Sequence, residues 1–135
     1  MSFRECAAWV MAAVMGLAGL CYLLTVRELG GAAPPTAVLI SYTVLVVVGS
    51  VVAHTVLAIW SPRDADAPAD ERERPLLDRA GNWSGWVLGA GVVGALWHFL
   101  FHGDAVLMFH LLIGSLIVSQ LAEYGFQIFL FRRHG

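Results

Sequence analysis

Residues Ser61–Asn82 read SPRDADAPADERERPLLDRAGN, and this stretch decides the fold. It holds four of the chain's eight arginines and six of its ten acidic residues. The sequence on either side is apolar to a degree that water-soluble domains do not reach. Of the 135 residues, 59% are hydrophobic and 13% are charged. Soluble domains carry about a quarter charged residues, so the balance points to a membrane protein with one polar loop between two apolar halves. The length suits a single domain, residues 1–135.

Before the loop lie two uncharged runs. Cys6–Val26 has a spanning length. Arg4 ahead of it invites a signal-peptide reading, but the run exceeds a signal core and no small-x-small cleavage site closes it. Leu20 before Cys21 also departs from a lipoprotein signal. We therefore read residues 6–26 as a retained helix. Gly30-Gly31 ends it, and Pro34-Pro35 suits the entry to the next. Ala37–Trp60 is rich in valine, yet it is too long for a strand, and lipid requires a helix.

After the loop, Trp83–His102 and Ala105–Phe131 read as third and fourth spans, joined by a tight turn at His102-Gly103-Asp104. Asp70–Ala80 is expected to be helical in pieces, with a helix beginning at Pro75. Asp70 with Arg74, and Arg74 with Asp78, are spaced to pair along a helix. The expected fold is thus all-α: four transmembrane helices in a compact up-down bundle, with a loop at residues 61–82.

Arginine sets orientation. With four spans, Arg4, Arg63, Arg72, Arg74, Arg79, Arg132 and Arg133 share one side, and only Arg27 is on the other. Lys and Arg mark the cytoplasmic side, so the loop and both ends are expected there. The chain has no Lys and a net charge of −2, which gives nucleic acid no basic patch to bind. The bilayer is the expected partner, together with a second copy or another membrane protein. Cys6 and Cys21 are some 22 Å apart along one helix, so they are packing residues rather than a disulfide.

Helices in lipid associate through small residues and a few polar bonds. Gly81, Gly85 and Gly89 form a ridge on the third span, for packing within the bundle or for a homodimer contact. Ala8, Ala12 and Gly16 do the same on the first, Gly49 and Ala53 on the second, and Gly114 and Ala122 on the fourth.

Two polar constellations are candidates for chemistry. Ser115, Ser119, Glu123 and Gln127 recur every four residues on one face of the fourth span. That face should turn inward, since a lipid-facing carboxylate is costly. His54 on the second span lies at a similar depth, so a Glu123–His54 hydrogen bond is expected. A proton- or ion-handling site is the functional version, and bundle glue the structural one. At the other end, His98 and His102 are one turn apart, and His110 follows the tight turn. Three imidazoles near Asp104 could ligate a transition metal, and two on separate helices could hold a haem. Plain polar contacts near the interface are the competing reading, under which the protein needs no cofactor.

The loop motif Asp70-Glu71-Arg72-Glu73-Arg74, followed by Asp78-Arg79-Ala80 and a span, resembles a family of small, uncharacterised bacterial integral membrane proteins. These have four helices and an Asp-Glu-Arg motif in the cytoplasmic loop between helices 2 and 3. Glu123, Tyr124 and Phe131-Arg132-Arg133 match the end of their last helix. Pro75 departs from the pattern, where the relatives continue a charged helix. The resemblance covers about the last half of the chain and implies a bacterial inner-membrane location.

Three functions follow as expectations. One is a non-enzymatic protein acting through the helices or through Asp70, Glu71, Arg72, Arg74, Asp78 and Arg79: a regulator, accessory subunit or immunity-type protein. Another is a small dimeric transporter or proton handler built on Glu123. The last is a metal- or haem-binding redox component using His98, His102 and His110. No phosphate loop, nucleophile elbow or membrane-protease signature appears.

Overall fold

The computed structural model describes residues 3–29, 34–65 and 70–134, and among them it is helical apart from short links, with no strand. The helices are α1 (Phe3–Leu29), α2 (Pro35–Trp60), α3 (Pro62–Ala65), α4 (Arg74–His102) and α5 (Ala105–His134). All but α3 are long and apolar enough to cross a membrane. Gly30 and Gly31 lie outside the described residues.

Local chemistry sets the ends. Pro34 caps α2 in an extended conformation, and Pro35 stands in its first turn, where a missing N–H costs nothing. Pro75 plays the same part in α4, so the helix starts where the proline permits. It therefore begins nine residues before the expected span at Trp83, carrying Asp78 and Arg79 on its first turns. Gly103 closes α4 with φ +66°, a left-handed cap that favours glycine, and its N–H reaches the Phe99 carbonyl. The Asp104 carboxylate then accepts the Leu107 amide at 2.9 Å and opens α5.

The helices do not close into the expected compact bundle. α5 packs extensively against α4 and also against α1, which in turn packs on α2; α2 touches α5 only lightly. α4 has α5 as its one substantial neighbour. The core lies among α1, α2 and α5, where Tyr22, Val38, Ile113 and Ile117 form one buried cluster and Met11, Met15 and Ala53 another.

Close approach depends on single glycines. A Cβ on Gly19 would sit 2.7 Å from Ile117, and one on Gly49 would sit 2.9 Å from Val14. A Cβ on Gly91 would sit 2.6 Å from Cβ of Ser115. Hydrogen at these positions lets α1 meet α5, α2 meet α1, and α4 meet α5, where dispersion rather than the hydrophobic effect holds helices together.

At one end of the molecule the start of α1, the residues just before α4 and the end of α5 meet. Arg4 pairs with Glu73 at 2.9 Å, and Arg132 with Glu5 at 3.4 Å. The Arg132 guanidinium also lies 5.5 Å from the Trp9 ring centroid. These contacts place the start of α1, the segment before α4 and the end of α5 on one side, as four crossings require.

Candidate functional site: the α4/α5 seam and the outward face of α4

The seam is built from small residues on α4 and a polar line on α5. Ala80, Ser84 and Ala95 are buried on α4, with Gly91 between them against Ser115. Ser119 is buried and donates its hydroxyl to the Ser84 carbonyl at 3.0 Å, a direct bond between helices. The Ser115 hydroxyl turns back to the Leu111 carbonyl at 2.7 Å. One turn beyond Ser119, Glu123 is half-buried and accepts from the Gln127 amide at 3.4 Å. Of the four polar residues, Ser115 and Ser119 lie against α4, while Glu123 and Gln127 bond to each other along α5.

His54 does not join them. Its Nδ1–H donates to the Ser50 carbonyl at 2.8 Å, on its own helix, and the residue is exposed. Among the described residues Glu123 has no ion pair with His54 or any other base. The expected Glu123–His54 bond is not formed, because α2 presents Ala53 and Leu57 to the core and turns His54 outward.

The histidines at the opposite end separate. His98 and His102 stack with centroids 4.2 Å apart and planes 10° from parallel. His102 Nδ1–H donates to the His98 carbonyl at 3.2 Å, while His98 Nδ1 is buried with no hydrogen-bond partner among the described residues. His110 turns instead to α1, where its Nδ1 shares a 2.7 Å hydrogen bond with the Tyr22 hydroxyl. Tyr42 packs edge-on against Tyr22, with centroids 5.7 Å apart. No group of three or more metal-ligating side chains forms among the described residues. The expected trio of His98, His102 and His110 is thus divided between the α4/α5 seam and the α1/α5 interface. The Tyr22–His110 bond was not legible in the sequence; the one available signal was that both lie near the same end of their spans, the first and the fourth.

The glycine ridge is the other departure. A Cβ on Gly81, Gly85 or Gly89 would meet nothing within 4 Å. The ridge does not pack inside the molecule. Instead it borders an open groove of about 680 Å³ on the outer side of α4, lined by Trp86, Gly89, Ala90, Val93, Gly94 and Trp97. Trp86 is 76% exposed and marks the groove's edge toward the charged end. In the segment leading into α4, Asp70, Glu71 and Arg72 are exposed, as are Arg74, Asp78 and Arg79 on its first turns.

This architecture is that of a multi-pass helical membrane protein in which α2 and α4 are the edge helices. No protein-family model, curated protein or solved structure matches the chain.

Proposed function

We propose that this protein works by contact within the membrane, as a non-enzymatic regulator, accessory subunit or immunity-type protein. Its docking surface is the outward face of α4. The observation that carries this reading is the groove between Trp86 and Trp97, which lies beside glycines that none of the described residues covers. Without a hydrophobic drive in lipid, small-residue surfaces associate because they let another backbone come close. The exposed charges of Asp70–Arg79 extend the same surface beyond the membrane.

The test is a photoreactive residue at Val93 in living cells, with Val44 on the outward face of α2 as control. A discrete protein adduct from Val93 and none from Val44 is the expected result. Lipid adducts alone at both positions would remove this reading.

The location we propose is a bacterial inner membrane, with the two ends and the charged loop in the cytosol. The arginine distribution and the loop motif support it. A fluorescent protein fused after Gly135 should then be bright and an alkaline phosphatase fused there inactive; the reverse pattern would invert the topology.

A second reading has its own support. Glu123 lies nine residues, about 13 Å of helix, from Arg132, and it has no cationic partner among the described residues. Ionisable groups at such depth are functional candidates by default. Together with Ser115, Ser119 and Gln127 it would handle a proton or small cation along the α4/α5 seam.

A further inference from the structure

We propose that the occupant of the α4 groove is a second copy of this chain, in a parallel two-fold dimer. This inference rests on the contact reading above and names its partner. Ala80, Ser84, Gly91 and Ala95 mark the side of α4 that faces α5. At 100° per residue, the opposite meridian runs through Asn82, Val93 and Leu100. Asp78 and Arg79 flank that meridian by roughly 50° on opposite sides. Both are exposed and have no ion pair among the described residues.

Two copies inserted in the same direction must meet with their α4 helices parallel. A two-fold axis along the meridian then sets the Arg79 side of one helix against the Asp78 side of the other, and the converse. The charge pattern is self-complementary: each copy supplies one acid and one base, and both pairs form. An antiparallel partner would lose this match, and an unrelated helix has no reason to carry it.

The apolar part repeats the same logic. Trp86 stands about 30° to one side of the meridian and Gly89 about 30° to the other. Each tryptophan therefore faces the Gly85 and Gly89 backbone of the other copy, where a Cβ would now meet nothing. The ring is a projection, and the open Gly85–Gly89 face, on the other side of the meridian, is its recess. Asn82 lies on the axis, exposed and with no hydrogen-bond partner among the described residues. Two such amides facing each other can bond across the interface, an arrangement that fixes register between helices.

The test uses the full chain with Cys6 and Cys21 changed to Ser, in native membranes. Val93→Cys should give an oxidative cross-link at twice the monomer mass, and Val44→Cys should not. Gly89→Leu should weaken association about tenfold, the equivalent of roughly 1.4 kcal/mol, because it fills the recess. Asp78→Arg should lower cross-linking. Adding Arg79→Asp should restore it, because the swap regenerates both pairs. Equal cross-linking from Val44→Cys, or indifference to Gly89→Leu, would overturn the dimer. A discrete photo-adduct from Val93 at another mass would also overturn it while upholding the contact function. No protein adduct of any kind would remove both.

Discussion

Arg4 and Glu73 meet at 2.9 Å, joining the first turn of α1 to the segment that leads into α4. The pair spans nearly 70 residues of sequence and acts as a clasp between the start of α1 and the end of the charged loop. Both side chains are partly exposed, so the pair contributes only about 0–1 kcal/mol to stability. Its effect should appear in loop access instead. Glu73→Gln should leave thermal unfolding nearly unchanged while speeding tryptic cleavage at Arg72 severalfold. Wild type at high salt should approach the same rate, because screening weakens a pair of this exposure. Cleavage indifferent to both changes would show that the clasp does not restrain the loop.

Across the α1/α5 interface, the Tyr22 hydroxyl and His110 Nδ1 form a 2.7 Å bond inside an aromatic cluster with Tyr42 and Phe109. Hydrogen bonds between membrane helices average about 0.6 kcal/mol and reach about 1.7. Tyr22→Phe should cost an amount in that range by unfolding in detergent or bicelles. His110→Phe combined with it should cost less than the sum, since the bond is lost only once. Strict additivity would show that the two groups do not depend on each other.

Gly91 and Gly125 make a matched comparison. A Cβ at Gly91 collides with Ser115, which sits on the backbone of α5 and cannot swing aside; at Gly125 there is open space. Gly91→Ala should therefore destabilise by about 1–3 kcal/mol, the usual cost of overpacking. Gly125→Ala should be neutral or gain up to about 1 kcal/mol from reduced backbone freedom. Chemical unfolding of both variants measures the difference, and equal effects would mean that α4 does not approach α5 this closely.

These contacts show what could be read in the sequence and what could not. The four long helices were legible because lipid admits no other solution for uncharged runs of this length. Pro34-Pro35, Pro75 and Gly103 marked helix ends through backbone rules that act within a few residues. Spacing by four also placed Ser115, Ser119, Glu123 and Gln127 on one face. Which face turns to which neighbour was not legible. A histidine such as His54 satisfies its N–H on its own helix, so it needs no partner and signals none. Gly81, Gly85 and Gly89 form the most regular small-residue pattern, yet the close approaches fall at Gly19, Gly49 and Gly91, of which only Gly49 belongs to one of the lines of small residues read from the sequence. Periodicity defines a surface; only the pairing of α5 with α1 and α4 decides which surfaces are used.

Glu123 offers the sharpest separation between contact and ion handling. Among the described residues its carboxylate accepts one hydrogen bond, from the Gln127 amide at 3.4 Å, a long contact that contributes little to the fold. Glu123→Gln keeps size and polarity and removes the ability to carry a proton. Under the contact reading, the variant should fold, insert and cross-link at position 93 as the parent does. Under the ion-handling reading, purified protein in vesicles loaded with a pH-sensitive dye should dissipate an imposed proton gradient, and Glu123→Gln should reduce that rate at least to about a tenth. Ser119→Ala serves as the structural control. It removes the bond to the Ser84 carbonyl, at a cost near 0.6 kcal/mol, without touching the carboxyl. A flux that falls equally in both variants would trace to loosened α4/α5 packing. A flux lost only with Glu123 would assign the proton to that side chain, and a tight vesicle with either protein would leave the seam a purely structural element.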